Sequence, residues 1–214
     1  MTYLNLVNNV LRRLREDVVT TVSENTYSAM VGDFVNDAKR LVEDAADWSG
    51  LRTTLVIPTV ASDNQYSLTD SGDSVKVFDV INDTNNSFMK YQTKTWFNEQ
   101  LYTGSALEGT PTTYTFDGLD GSGDTQVLVY PTPDAVYSLR FNVTKRQGDL
   151  STDEDTLLIP SAPVVHLAVA MLARERGETG GTSAAEYFAI ADKFLGDAVA
   201  LDAAKHPEEM VWYS

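Results

Sequence analysis

Cysteine is absent from the 214-residue chain, which excludes disulfides, thiolate metal centres and cysteine nucleophiles. Histidine is nearly absent, with only His166 and His206. Any acid–base or triad chemistry that needs an imidazole must use one of these two. His166 lies in the most apolar stretch of the chain with no Asp or Glu three or four residues on, so it is expected as a packed core or interface histidine. His206 stands beside Pro207 at a helix end, where an imidazole suits the negative end of the dipole. Patterns of the GxSxG, HExxH, P-loop and GxGxxG kinds are missing. Basic residues are few: 16 Lys and Arg face 31 Asp and Glu, a net charge of −15. Non-specific nucleic-acid binding depends on basic patches that displace counterions, so the balance disfavours a DNA-gripping protein. Self-repulsion favours solubility. No run approaches the roughly 18 apolar residues of a membrane span, and the first residues lack the pattern of a signal peptide. A soluble protein made in a cytoplasm is expected.

What is present is ordinary globular material. Hydrophobic residues make up 43% and charged residues 22% of the chain, too apolar for disorder, and the length allows one large domain or two modest ones. The first segment places Leu4, Val7, Val10, Leu11, Leu14 and Val18 at helical spacing. A second carries Tyr27, Met30, Val31, Phe34, Val35, Ala38, Leu41, Val42, Ala45 and Trp48 in the same period, with Ser23, Asn25 and Thr26 as N-cap candidates and Gly50 as a stop. From Leu51 to about Leu158 the period becomes two. Strands are predicted in "LRTTLVIPTV", "SVKVFDVIN", "SFMKYQTK", "TTYTFDG", "TQVLVYP" and "AVYSLRFNVTKR". Asn, Asp and Gly clusters separate them, and "KTWFNEQLY" reads as a short helix. The last strand puts Tyr137, Leu139, Phe141 and Val143 on one face. Helices then return. Val164 to Ala173 is apolar nearly all round, as in a helix buried on every side. A final helix opens on a capping box from Ser183 to Glu186 and carries the stripe Tyr187, Phe188, Ala191, Phe194, Leu195, Ala198 and Val199.

The fold expected is α+β. The N- and C-terminal helix pairs, residues 1–50 and 159–206, form a four-helix bundle. An antiparallel β-sandwich or barrel-like region, 51–158, is inserted between them, and 207–214 is a C-terminal tail. That tail, "PEEMVWYS", is unusually apolar for a free end.

Candidate sites are few. "FDGLDGSGDT" brings Asp117, Asp120 and Asp124 near glycines, a pattern that can wrap calcium, but its spacing departs from the EF-hand. A solvated hairpin loop is the expectation, and binding of a cation there stays open. Between Thr95 and Leu139 there is no Lys or Arg, yet Glu99, Glu108, Asp117, Asp120, Asp124 and Asp134 occur. That is either a solvated acidic face or a wall that lets a polyanion pass without sticking. No catalytic, cofactor or metal site is expected, and an assembly protein fits better than an enzyme.

The order of these segments resembles the head-to-tail adaptor (connector) proteins of tailed bacteriophages. The resemblance is carried by "YLNLVNNVLRRL", by "MVGDFVNDAKRLVEDAADWSGLRTT", by "IPSAPVVHLAVAMLARERGE" and by "AAEYFAIADKFLGDAVALDAA" before a short tail. It covers nearly the whole chain, and the β region matches only in kind. It implies a virion protein at the head–tail junction: a dodecameric ring under the portal protein that extends the DNA channel and carries a tail nozzle or tail tube protein. Genomic DNA passes through without specific binding, and neither enzymatic activity, cofactor nor membrane is involved. It also implies that Met210, Val211, Trp212 and Tyr213 are uncovered until assembly and then buried against the portal. Folding of that tail back onto its own bundle is the alternative. Glu99, Glu108, Asp117, Asp120 and Asp124 become candidates for facing the channel. Two other readings compete: a tail-completion or terminator ring protein, and a carbohydrate-binding β-sandwich in which Trp96, Tyr102, Tyr114 and Tyr130 stack on sugars.

Overall fold

The computed structural model describes residues 1–103, 107–177 and 182–205. Along the chain its elements are α1 (Tyr3–Arg13), α2 (Thr26–Asp44), β1 (Arg52–Pro58), β2 (Gln65–Ser67), β3 (Val75–Asn82), β4 (Ser87–Phe88), β5 (Lys90–Tyr91), α3 (Lys94–Asn98), β6 (Thr113–Leu119), β7 (Thr125–Tyr130), β8 (Ser138–Lys145), α4 (Ser161–Glu175) and α5 (Thr182–Ala203). The class is α+β, with five helices and two sheets among the described residues. The chain divides into two compact units, Met1–Leu51 with Gln147–Ser214, and Arg52–Arg146.

In the helical unit, α1 starts on Thr2, whose side chain accepts a hydrogen bond from the Asn5 amide. It stops earlier than its hydrophobic period suggests. Arg15 takes a left-handed φ of 60°, and the Glu16 and Arg15 amides donate back to Leu11 and Arg12 carbonyls at 3.0 and 3.2 Å. This closing pattern satisfies the last carbonyls of the helix and turns the chain away, so Val18 is exposed and leaves the predicted stripe, while Tyr3 and Leu6 join the core. α2 opens on a reciprocal capping box between Asn25 and Ser28. Its inner face carries Val31, Val35, Ala38 and Val42, and Leu41 points outward. α4 is buried along Val164, Val165, Ala168, Val169, Leu172 and Ala173, as its nearly continuous apolar character predicts. α1, α2 and α4 pack on one another, and α5 lies against α4.

Buried polar side chains tie loops to these helices. Asn8 donates to the Val19 carbonyl at 2.9 Å and accepts from the Val19 amide at 2.8 Å. Asn36 does the same for Leu150, at 3.0 and 2.9 Å. Each amide side chain thus replaces a strand partner for one loop residue, which keeps a buried backbone amide and carbonyl paired. Lys39 is fully buried and donates to the Gln147 and Gly148 carbonyls at 2.6 and 3.1 Å, with Glu43 at 3.4 Å. Through these contacts residues 147–159 enter the helical core, where Leu150, Leu157 and Ile159 are buried. Two glycines are required by space: a Cβ on Gly50 would meet the Leu158 carbonyl oxygen at 2.3 Å. A Cβ on Gly32 would meet the Tyr3 hydroxyl at 2.3 Å and Val22 Cγ1 at 2.9 Å.

The β unit holds two four-stranded sheets, in orders β1-β8-β3-β4 and β2-β7-β6-β5. The alternation of Tyr137, Leu139, Phe141 and Val143 stands: all four are buried. β8 pairs with β1 (Leu55↔Phe141) and with β3 (Val80↔Phe141). Both sheets feed one core, in which Ile57, Val80, Leu139 and Phe141 meet Tyr66, Leu68, Tyr114, Val127 and Val129. Two expectations are corrected. The sheets do not close into a barrel. Nor is every pairing antiparallel, because β5 runs parallel to β6. The cause is that "SFMKYQTK" is not one strand. Its first half pairs with β3; Met89 is buried and its amide donates to Val80 at 2.8 Å; the next amide, of Lys90, donates to Thr112 of the other sheet at 2.9 Å. β2 is a three-residue strand that the periodicity does not reveal.

Candidate assembly surface

α5 is 22 residues long, and its apolar face is wider than its neighbour can cover. Ala191, Leu195, Ala198 and Val199 pack on the helical core. Near its end, the buried Asp202 accepts hydrogen bonds from the Ser49 amide at 2.7 Å, the Ser49 hydroxyl at 2.6 Å and Lys205 Nζ at 2.7 Å. Burial pushes the Asp202 carboxyl up, and the bonds from Lys205 and Ser49 outweigh this and hold it below the usual carboxylate range. The helix is therefore pinned at the turn after α2 and along its inner stripe.

A second stripe, rotated by a fraction of a turn, faces out. Tyr187, Ile190, Phe194 and Leu201 are 40%, 44%, 38% and 73% exposed. Their spacing of three, four and seven puts them in line on one side of the helix. The predicted stripe includes Tyr187 and Phe194 together with Ala191 and Leu195 and omits Ile190 and Leu201. The signal was present, since apolar residues cover more of the helix circumference than one packed neighbour can bury. Phe194 stacks on His166 with ring centroids 4.2 Å apart and planes 8° from parallel. His166 is thus an interhelical packing residue, and burial, followed by the charge of Arg13, depresses its pKa. Beside this stripe a groove of about 370 Å³ runs between the start of α4 and the second half of α5. Pro160, Ala162 and Pro163 form one wall, and Phe194, Leu201 and Lys205 line the other. A second, more polar hollow of about 350 Å³ lies near Tyr27 and Arg176. There Arg176 pairs with Glu16 at 2.7 Å and covers the Tyr27 ring at 4.8 Å, so its charge is already matched.

The acidic residues of the β unit do not gather. Asp117 pairs with Lys94 and accepts from Gln65 at 3.3 Å. Asp120 accepts from the Ser122 and Asp124 amides at 2.8 and 2.9 Å; a bond from the Ser67 hydroxyl, then these backbone bonds, hold its carboxyl low. Asp124 binds the Asp70 and Gly72 amides at 3.1 and 2.9 Å. The glycine-rich loop is a hairpin whose carboxylates satisfy its own turn amides and a neighbouring loop. Among the described residues no group of three or more His, Asp or Glu is arranged to hold a metal ion. Glu99 and Glu108 are exposed. The proposed sugar platform is dispersed as well: Tyr114 is buried, Trp96 packs edge-on against Phe97 and Tyr130 at 5.3 and 5.4 Å, and only Tyr102, 83% exposed, stands open. Met210, Val211, Trp212, Tyr213 and His206 lie outside the described residues.

No helix among the described residues is long and apolar enough to cross a membrane. No curated protein matches the chain. Residues 1–210 match the family described as SU10 adaptor protein, a span that takes in both units and every element above. The chain therefore belongs to the SU10 adaptor protein family, a family of phage head–tail adaptors.

Proposed function

We propose that this protein is a structural, non-enzymatic head-to-tail adaptor that forms a ring beneath the portal of a tailed phage and extends the DNA channel. The next tail component, a nozzle or tail tube protein, docks on its far side. The observation that carries this is the family match over residues 1–210. The open apolar stripe on α5 supports it, because a stripe of large apolar side chains suits a protein that works against other proteins. The subunit in this reading is a four-helix bundle carrying an inserted β-sandwich, twelve copies make the ring, and it is made in the host cytoplasm before joining the virion.

The segment Met210–Tyr213 is the portal contact in this proposal, with Trp212 as its anchor, since a buried aromatic usually dominates such contacts. Twelve linked segments gain avidity that a single one lacks. Glu99 and Glu108, both exposed, are the acidic candidates proposed to border the channel. With a net charge of −15, the wall repels passing DNA rather than holding it.

The test is reconstitution. Purified adaptor is mixed with the cognate portal ring and the product is weighed by light scattering and imaged by cryo-EM. A ring of adaptors on the portal is expected. A tight adaptor dimer with no affinity for portal rings would sink the proposal.

A further inference from the structure

We propose that the groove between the start of α4 and the end of α5 is the resting seat of the chain's own segment Met210–Tyr213. The apolar segment is then held on its own helical unit until attachment. The inference rests on the portal reading only for what later releases the segment.

The groove is apolar and open: Leu201 is the most exposed large apolar residue of α5, and Phe194 and the two prolines complete the walls. Its volume of about 370 Å³ lies within the range of roughly 300–1,000 Å³ in which proteins hold compact apolar groups. The groove also lies where the chain departs. Lys205, the last described residue, lines it. Two residues on, Pro207 cannot continue a helix, for it lacks the amide hydrogen.

Reach fits the geometry. Met210 stands five residues beyond Lys205, and Trp212 seven. Extended chain covers at most about 3.3–3.6 Å per residue, so these side chains can reach roughly 17–25 Å from Lys205. Along α5 the groove extends from Lys205 back to Phe194, about 16 Å at the helical rise. A chain of that length is long enough to span the groove. A tether this short gives an effective concentration in the millimolar range, so even a weak apolar contact is occupied. Another molecule's segment enjoys no such advantage in dilute solution.

The experiment uses the full chain and reads Trp212 by acrylamide quenching, as the difference between the wild type and Trp212→Phe, which removes the signals of Trp48 and Trp96. Measurements are made where light scattering reports a monomer. Trp212 is expected to be shielded in the free protein. Leu201→Glu places a charge in the groove at an exposed position. It should raise the quenching constant several-fold, shift the emission red and leave the circular dichroism unchanged. Ala162→Glu, on the opposite wall, should do the same, which guards against a folding defect in the first variant. Equal quenching of Trp212 in the wild type and both variants overturns the proposal. Protection that grows with concentration, together with dimer formation, also overturns it, in favour of a second copy's segment. The portal reading fails separately: deletion of residues 208–214 would leave portal binding intact, whatever Trp212 reports in the free protein.

Discussion

Replacing Asn36 by Leu should destabilise the helical unit well beyond what the change in side-chain volume suggests. Asn36 is buried in α2, and its amide group holds both the amide and the carbonyl of Leu150, at 2.9 and 3.0 Å. Leucine fills nearly the same space and offers neither a donor nor an acceptor. Two buried backbone groups lose their partner, at about 1–3 kcal/mol each. The added apolar burial returns about 0.8 kcal/mol per methylene. The net loss is about 2–4 kcal/mol, which in a chain of this length lowers the melting temperature by about 4–16 °C. Calorimetry or denaturant titration measures it, and hydrogen exchange locates it, because the Leu150 amide should lose its protection first. Asn5→Ala on the exposed face of α1 is the control and should stay within about 0.5 kcal/mol of wild type. A loss under about 1 kcal/mol in Asn36→Leu, with Leu150 still protected, would show that the 147–159 segment is held by its apolar residues alone and refute the reasoning.

Gly32→Ala should cost about 1–3 kcal/mol, because the new methyl meets the Tyr3 hydroxyl at 2.3 Å; Tyr3→Phe in the same chain should recover part of the loss, and a double-mutant cycle by denaturant titration reads the coupling. Burial, then the charges of Asp33, Asp149 and Asp153, raise the Tyr3 phenol to about 12. Its contribution is therefore complete below the unfolded value near 10 and is lost as pH rises through about 12, a decline that Tyr3→Phe should remove from an alkaline denaturation profile. His166 shifts the opposite way: its pKa is depressed, so the folded state binds fewer protons. The stability of the α4–α5 contact should be complete above about pH 6.5 and decline as pH falls towards the lower folded value, and His166→Phe should flatten that slope in thermal melts. The isolated protein should not retard duplex DNA in a gel-shift assay at physiological salt, and a shift there would contradict the charge argument.

Elements whose signal is local are legible in the order of amino acids alone. α1, α2 and α5 follow from a 3.6-residue apolar period, α4 from a run that is apolar nearly all round, and β8 from alternation of four buried residues, while of the cap candidates Ser23, Asn25 and Thr26 the fold uses Asn25. The α+β class and the order of helices around a β region follow from where the period changes. The family, too, was legible, because order and wording of helices survive in one dimension. Tertiary structure decided what depends on distant partners. "SFMKYQTK" has the composition of a strand, yet it is divided between two sheets because Val80 and Thr112, far apart in sequence, each claim one of two adjacent amides. Val18 keeps the helical period and leaves it because Arg15 turns the chain. Asp120 and Asp124 look like free carboxylates until the folded loops show which amides they bind. On α5, hydrophobicity marks Ile190, Phe194 and Leu201 alike with the packed residues, and periodicity cannot say how much of an apolar face a neighbour covers. That is fixed by the width of α4 beside it, so the open stripe exists only in three dimensions.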